Sequence, residues 1–482
     1  MNFKFISVPL MVLSLFMTSS CSDDDSRIIH PDRPDVPTPQ PPVEEYDTPA
    51  GVLFSTFKGR VMCGYQGWFT APGDECSSRG WTHWTATGIG KFEPGYCSID
   101  FWPDVSEYEK TYDTPFVHPD GTTAKVFSSA DKSTADLHFK WMKEYGIGGA
   151  IIQRFKSTVE ACASGSDRHS LDVLANCIEA SKKYNIAIMV EYDLSGLGSD
   201  SDLDMLIRDW DMLNEKFHLT DPSVCPTYLW EKGKPMLGFF AVGLNKGDST
   251  PDQYIYLFDN MKGRDGEKGK LSYFAGTGYA WLSSGGSAKP FIEWEEVYKR
   301  CAVISPWAVG NFSSVDVIES RMAQVANDIK WCKRQNVVYA PVAYPGFSWR
   351  NTQTKWKNNG TAFDWDPKNC YDKQYKHNRY IYDMTPRERG AFLWKLLGRY
   401  RELGAEAAFV AMFDEIDEGT AIFKCVKSSN TPINTNQYFP EGKFVGYDDD
   451  LDPAFYMKLV GEAGKWYAGA EGYSSETLPN VN

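Results

Sequence analysis

Residues 405–420 read AEAAFVAMF-DEIDEGT, an apolar run followed directly by four carboxylates within five positions. Near-continuous apolar sequence is typical of a strand buried on both faces, as in a parallel sheet. The acids would then lie at the carboxyl end of that strand, which is the end of an α/β barrel where functional groups collect. Acidic residues after a strand also commonly precede a helix and stabilise its positive N-terminus. The stretch alone leaves both interpretations open.

Strand and helix patterns alternate from residue 51 onwards, which predicts a parallel sheet whose strands are joined by helices. Eight strands are predicted, each but the first preceded by a helix, and the count fits a single (β/α)8 barrel with long βα loops. The alternative is a doubly wound open sheet, but the GxGxxG turn usual in that fold is absent. The predicted strands are 60–69, 148–155, 186–193, 236–244, 271–276, 301–307, 337–344 and 407–413, and the predicted helices are 134–145, 170–184, 202–217, 251–262, 291–300, 315–335 and 386–403.

Polar and aromatic residues collect at seven of the eight predicted strand ends, as the barrel interpretation requires. Aromatic residues there are also often part of the core, so each is a candidate for either role. Beside the pair Glu415 and Glu418, the predicted substrate-binding residues are Tyr65, Trp68, Arg154, Glu191, Asp193, Trp281, Trp307, Tyr344, Trp349, Asp414 and Asp417.

Composition limits the class of protein. The 482 residues, of which 42% are hydrophobic, are ample for one large barrel core. The net charge of −14 comes without a basic stripe, which argues against nucleic acid as a partner. Aromatic residues make up 15% of the chain, an excess that suits stacking against the apolar faces of sugars. We expect a monomer.

The N-terminus has the features of a targeting segment. Lys4 precedes an apolar stretch, 6–17, that is too short to span a membrane. Residues 18–21, TSSC, resemble a bacterial lipobox, and by that resemblance Cys21 is lipidated after cleavage. The following SDDD resembles the surface-export signal of Bacteroidetes lipoproteins, which implies an outer-membrane anchor on the periplasmic or cell-surface side. An ordinary secretory signal is the alternative.

The domain organisation follows from these segments. We predict a signal peptide over residues 1–20, a lipidated cysteine with a proline-rich linker over 21–50, and the barrel over 51–475. A linker of this composition favours an extended chain and cannot bury a core. The lipid anchor is the one membrane contact that we expect.

Cysteine and histidine usage gives no metal or redox motif. None of the ten cysteines after Cys21 forms a CxxC pair, and the seven histidines show no metal-binding spacing, so no metal or cofactor is expected. In an exported protein, Cys76 with Cys97 is the best candidate for a disulfide. Buried thiols are predicted at Cys162, Cys177, Cys301 and Cys332.

Two carboxyl groups held close together separate their own pKa values, because both resist being charged at once. Glu415 and Glu418 are three residues apart and can point the same way off one turn. Hydrolysis of a glycosidic bond generally uses such a pair, one group protonated and the other ionised. The pair therefore suits an acid/base site.

The acid cluster resembles a known signature. Residues 414–422, DEIDEGTAI, are similar to the N-E-W-x-E-G-T-x-I motif of glycoside hydrolase family 99, the endo-α-mannosidases and endo-α-mannanases. The chain resembles still more closely the exported bacterial proteins known as glycoside hydrolase 71/99-like. The shared blocks are GYQGWF (64–69), PVAYPGFSW (341–349), PRERGAFLW (386–394) and AMFDEIDEGTAIFK (411–424).

The resemblance implies roles for two residues. Glu415 would assist attack by the sugar 2-hydroxyl on C1, and Glu418 would act as general acid and then general base. Asp414, Ile416 and Asp417 depart from the family pattern, which puts mannose specificity in doubt.

We therefore expect an exported glycoside hydrolase that cleaves α-linked oligo- or polysaccharides such as mannan. The alternative is a non-catalytic glycan-binding lipoprotein on the same scaffold, because a fold does not fix a function. A metal-dependent hydrolase is a third interpretation, supported by the carboxylates alone.

Overall fold

The computed structural model describes residues 46–76, 79–85, 91–166, 168–245, 248–352, 371–372, 377–378, 382–436 and 442–482. The predicted signal peptide, Cys21 and most of the predicted linker lie outside these residues. The strands are β1 (Val61–Tyr65), β2 (Tyr112–Val117), β3 (Thr123–Val126), β4 (Gly149–Phe155), β5 (Ala187–Asp193), β6 (Trp230–Glu231), β7 (Lys234–Val242), β8 (Ser272–Gly278), β9 (Val303–Trp307), β10 (Val338–Tyr339), β11 (Val342–Ala343), β12 (Tyr371–Asp372), β13 (His377–Asn378) and β14 (Ala408–Val410). The α-helices are α1 (Lys132–Tyr145), α2 (Lys156–Ala163), α3 (His169–Tyr184), α4 (Asp200–Phe217), α5 (Pro251–Asn260), α6 (Phe291–Arg300), α7 (Met322–Arg334), α8 (Ala391–Glu402) and α9 (Phe455–Tyr467).

The parallel strands form one sheet in the order β10-β9-β8-β7-β5-β4-β1-β14-β11. Its two ends, β10 and β11, are halves of one strand, interrupted at Ala340 and Pro341. β10 pairs with β9 and β11 pairs with β14, so this interrupted strand closes the sheet into a barrel. The interruption has a chemical cause, since Pro341 has no N–H to donate to the ladder. Its carbonyl still accepts from the Phe409 N–H at 3.1 Å.

The predicted (β/α)8 barrel is confirmed, with each predicted strand present and every predicted helix preceding its strand. The eighth strand is shorter than predicted and ends at Val410, although the N–H groups of Ala411 and Phe413 still donate to the carbonyls of Ala343 and Gly64 at 2.9 and 2.8 Å. Several elements were not predicted from the sequence, among them α2, the β2–β3 hairpin and α9. The β2–β3 hairpin lies in the long loop after β1, and α9 packs against α1, α8 and β1.

The helices begin where local signals place them. Ser199 and Asp202 form a capping box at the start of α4, and Thr250 and Gln253 form one at the start of α5. In each box the side chains satisfy backbone N–H groups that the first turn leaves without partners. Within the described residues, none of these helices combines the length and apolar character needed to cross a bilayer.

Side chains on the inner face of the sheet fill the barrel. Phe409 of β14 contacts Phe274 of β8 and Trp307 of β9 with ring centroids 6.1 and 6.4 Å apart. Gly64 of β1 is required beside them, because a Cβ at that position would collide with Met412. The interior is therefore a packed core, and the segments that follow the carboxyl ends of the strands lie above it, where barrel enzymes carry their sites.

Candidate functional site

The acid cluster forms a tight turn at the carboxyl end of β14, and no helix follows it. The backbone N–H groups of Thr420 and Ala421 both donate to the carbonyl of Glu415 at 3.0 Å, which folds the chain back on itself. Gly419 adopts a left-handed φ of 68° in this turn, a conformation that favours glycine. The helix-start interpretation of these acids is therefore wrong. We call residues 414–420 the acid turn.

Asp414 fastens the acid turn to the end of β1. Its two carboxylate oxygens accept hydrogen bonds from the backbone N–H groups of Gln66 and Gly67 at 2.9 and 2.8 Å. The side chain is completely buried. Burial raises the pKa of Asp414 to about 7, although these two hydrogen bonds oppose the shift.

Glu415 and Glu418 are the two glutamates of the turn, the first buried and the second half-buried. Glu415 accepts hydrogen bonds from the Thr420 hydroxyl at 2.9 Å and from Gln66 Nε2 at 3.4 Å. Burial, then the charges of Glu418 and Asp417, raise the pKa of Glu415 well above its ordinary value. Burial and these charges therefore favour the protonated form of Glu415.

Asp417 connects the turn to the loop after β1. Its Oδ2 lies 3.2 Å from Nδ1 of His83. The His83 ring is stacked on Trp68, with centroids 3.9 Å apart and planes 5° from parallel. Phe155 of β4 stacks against Trp68 as well, at 5.6 Å. Trp68 thus has an aromatic neighbour on each side, and the group forms one wall beside the glutamates.

Two buried charges hold the surrounding loops in place. Asp100 accepts hydrogen bonds from the Ser348 hydroxyl and from the backbone N–H groups of residues 350 and 351 at 2.6 to 2.8 Å. Burial raises the pKa of Asp100 to about 6. The Arg387 guanidinium donates to the carbonyls of Gly419 and Ala421 at 2.9 and 2.6 Å, which fixes the end of the acid turn. The blocks around residues 341–349 and 386–394 therefore support the site from behind.

The inner wall carries two glutamines that the sequence analysis did not assign to the site. Gln66 and Gln153 are half-buried at the ends of β1 and β4. Gln153 Nε2 donates to Glu191 of β5 at 2.5 Å. Burial raises the pKa of Glu191 to about 8. Of the predicted binding residues, Glu191 therefore lies on this wall, in contact with the half-buried Gln153 amide.

Arg154 and Tyr65 lie away from this space. Strand residues alternate between faces, so Arg154 points outward where Gln153 points inward. It forms a buried ion pair with Asp209 of α4, with Nε and Nη2 donating at 2.7 and 2.5 Å. The Tyr65 hydroxyl lies 3.0 Å from Nδ1 of His138 in the core. The structure gives both side chains structural contacts and does not bring them to the glutamates.

The remaining predicted binding residues are either buried in the core or half-buried at strand ends. Trp281 is fully buried and donates to Asp328 at 3.1 Å, and the hydroxyl of Tyr344 donates to the carbonyl of Phe312 at 2.8 Å. Trp349 is also buried. Trp307 and Asp193 are half-buried at the ends of β9 and β5.

Cysteine and metal chemistry add nothing to the site. Cys76 and Cys97 are not joined to each other, so the disulfide expected between them is absent. Sγ of Cys97 instead lies 3.3 Å from the Asn434 amide nitrogen, in a buried position. Of the predicted buried thiols, Cys162 is half-buried and the other three are buried. Among the residues that the structure covers, no group of three or more His, Cys, Asp or Glu could hold a metal ion.

Comparison with known proteins identifies the fold. The sequence matches no protein-family model and no curated protein. The structure is similar to the GH99 endo-α-mannosidase of Bacteroides thetaiotaomicron, alone and in complex with bis-tris propane. In both cases the TM-score is 0.55 and the identity 14%, over 86% of this chain and 98% of the enzyme. A glycoside hydrolase-like protein is more distant, with a TM-score of 0.42 and 10% identity over 76% of this chain and 95% of its own. The chain therefore shares the barrel fold of this enzyme, and its activity has to be argued from the site.

Proposed function

We propose that the protein is an exported glycoside hydrolase that cleaves α-linked glycans, with Glu415 and Glu418 as the catalytic pair. The observation that carries the proposal is the acid turn itself. It presents a buried glutamate and a half-buried glutamate at the open end of the barrel, and the charge of one raises the pKa of the other. Such a pair can hold one proton for a leaving oxygen while its second carboxylate acts as a base.

The division of labour follows the family resemblance. Glu415 assists the 2-hydroxyl of the sugar, which attacks C1, and Glu418 donates a proton to the departing oxygen. A water molecule, deprotonated by Glu418, then opens the 1,2-anhydro sugar. Burial and the charge of Glu418 favour the protonated form of Glu415, so the proposed cycle begins with the transfer of a proton from Glu415 to Glu418.

The substrate class is proposed from the resemblance to mannan-degrading enzymes and from the aromatic wall of Trp68, His83 and Phe155. The first two of these rings are parallel and lie beside Asp417. An aromatic edge next to an acid/base pair suits the mixed apolar and polar surface of a sugar ring.

The decisive experiment is a product screen. Purified protein lacking the first 45 residues is incubated with mannans, α-glucans and xylans, and released sugars are separated by chromatography. We expect cleavage of at least one α-linked glycan by the wild type and loss of cleavage in Glu418→Gln. A protein that binds a glycan of the panel but cleaves none would be a glycan-binding lipoprotein, and the enzyme proposal would fail.

We also propose that Cys21 anchors the protein to the outer membrane through its lipid. The proposal rests on the TSSC sequence at 18–21. Labelling cells with a radioactive fatty acid should mark the wild-type protein and not Cys21→Ser. Equal labelling of both proteins, or of neither, would exclude this anchor.

A further inference from the structure

A row of four polar side chains crosses adjacent strands above the core. Gln66 of β1 lies opposite Gln153 of β4, since the residues that precede them are a register pair. Gln153 is in turn the register partner of Glu191 on β5. Neighbouring strands are about 4.8 Å apart, so Gln66, Gln153 and Glu191 lie side by side, and Gln66 contacts Glu415 of the acid turn.

Each glutamine of the row has its amide nitrogen engaged by a carboxyl group. Gln66 Nε2 donates to Glu415, and Gln153 Nε2 donates to Glu191 Oε2. The donor end of Gln153 is thus directed towards β5. No described residue provides a partner for its carbonyl oxygen, Oε1, and the side chain is half-exposed at the open end of the barrel.

Glu191 is placed to hold this amide and not to contact a ligand itself. It is 1% exposed, and it packs over Gly238 and Gly276, where a Cβ would lie 2.8 Å and 3.2 Å from its atoms. Its Oε1 has no hydrogen-bond partner among the described residues. Burial raises its pKa to about 8, so the carboxyl is protonated at neutral pH, which lowers the cost of burying it.

We propose that Gln153 hydrogen-bonds a hydroxyl of the bound sugar and that Glu191 is the positioning residue that sets the orientation of the Gln153 amide. With its nitrogen held by Glu191, Gln153 presents the carbonyl oxygen as an acceptor for a hydroxyl proton. Gln66, whose amide nitrogen is held by Glu415, is the neighbour of Gln153 on the side of the catalytic pair. The ligand class is a neutral sugar ring, and in this respect the inference rests on the proposed function.

Binding measurements on catalytically impaired protein test the inference without requiring turnover. Every variant is made in the Glu418→Gln background, and its dissociation constants for mannan-, starch- and xylan-derived tetrasaccharides are measured by calorimetry. We expect Gln153→Leu to weaken binding of the preferred tetrasaccharide about tenfold, the effect of one lost hydrogen bond. Glu191→Leu should weaken binding similarly, because the Gln153 amide, no longer held by Glu191, can rotate and direct its nitrogen towards the ligand. Glu191→Gln should recover most of that loss, since its amide oxygen can accept from Gln153 Nε2.

The combination of the two substitutions distinguishes positioning from independent contact. If Glu191 acts through Gln153, the double variant Gln153→Leu/Glu191→Leu binds no more weakly than Gln153→Leu alone. Gln335→Leu is the matched control, a half-buried glutamine at the opposite end of the barrel, between α7 and β10, and it should leave binding unchanged. If Glu191→Leu does not fold, Gln153→Leu still decides, because unchanged affinity there overturns the proposal.

Additive losses in the double variant, or no recovery with Glu191→Gln, would overturn the positioning role. Failure to bind any member of the panel would overturn the inference as a whole. Failure of the proposed function gives a different result, since a wild type that cleaves nothing can still show the Gln153 effect on binding.

Discussion

Two buried carboxyl groups, one on each side of the barrel wall, have neighbours of opposite charge. Asp209, outside the wall, accepts two hydrogen bonds from the Arg154 guanidinium and one from the Tyr192 hydroxyl. Glu415, inside the barrel mouth, accepts from a neutral hydroxyl and a neutral amide, and other carboxylates raise its pKa. A buried acid matched by a cation contributes to a fixed structure. A buried acid placed against other acids is ready to exchange a proton.

The largest expected effect is on catalysis. Glu418→Gln should lower hydrolysis of a natural glycan by a factor of about 10² to 10⁴, because no proton reaches the leaving oxygen. An α-glycosyl fluoride has a leaving group that needs no proton, so Glu418→Gln should still release a first equivalent of fluoride at close to the wild-type rate, although it lacks the base that deprotonates water in the second step. Glu415→Gln should fail on both substrates. Initial rates on the two substrates, with thermal unfolding as a check of folding, provide the measurement.

The same rates test the assignment of roles. Recovery on the fluoride by Glu415→Gln, and not by Glu418→Gln, would make Glu415 the acid, the role its raised pKa favours in the resting site. Equal activity of all three proteins on the natural glycan would remove the pair from catalysis.

The next largest effect concerns stability on the other side of the wall. Asp209→Asn leaves the buried Arg154 guanidinium without its counter-charge and should lower the free energy of unfolding by about 3–5 kcal/mol. Urea unfolding followed by fluorescence measures it. The double variant Arg154→Met/Asp209→Leu removes both charges and should regain much of the loss. A loss below about 1 kcal/mol in Asp209→Asn would mean that the ion pair with Arg154 contributes little to stability. The contrast between a structural Asp209 and a functional Glu415 would then fail.

A third effect depends on pH. Burial raises the pKa of Asp414 to about 7 and those of Glu191 and Asp328 to about 8, whereas the unfolded carboxyls titrate near pH 4. The folded state therefore binds more protons between about pH 4 and pH 8. The stability from these groups is complete below about pH 4 and is lost as the pH rises through the folded pKa values.

Urea unfolding at intervals from about pH 5 to pH 8 should show this decline. Each group contributes up to about 1.4 kcal/mol for each pH unit within its window. Asp328 lies away from the site, on Trp281 and Tyr339, so Asp328→Asn should flatten the curve without altering substrate binding. A stability that is constant or rises over this range would contradict the prediction.

The fold could be predicted from the sequence because each barrel strand is a short apolar run between helical patterns. The continuous apolar sequence of these strands, however, does not show which side chains face inward. A strand buried on both faces shows no alternation in its apolar part. At the end of β4 the sequence therefore offered Gln153 and Arg154 as equals, and the charged residue was the more conspicuous. The structure turns Arg154 outward to Asp209 and Gln153 inward to Glu191.

The site was predictable only where chemistry is concentrated in one segment. Four acids within five positions are visible in the sequence, whereas the turn at Gly419 is seen only in the structure. The contact between His83 and Asp417 joins residues 334 positions apart, and no local signal marks it. Trp281 and Tyr344 were predicted as binding residues because they follow strand ends. Large aromatic side chains also pack in the core at such positions, and the sequence does not separate the two roles.

The smallest expected effect concerns the loop that carries His83. The Ser98 hydroxyl donates to the His83 carbonyl at 3.0 Å, and the neighbouring Cys97 contacts Asn434, so hydrogen bonds hold this wall without a disulfide. Adding a reductant should therefore leave the melting temperature and the hydrolysis rate unchanged. Alkylation of unfolded, unreduced protein should label both Cys76 and Cys97 in the mass spectrum. A peptide pair linked through these two thiols would show instead that the wall beside the acid turn is covalently fixed, and reduction should then loosen it.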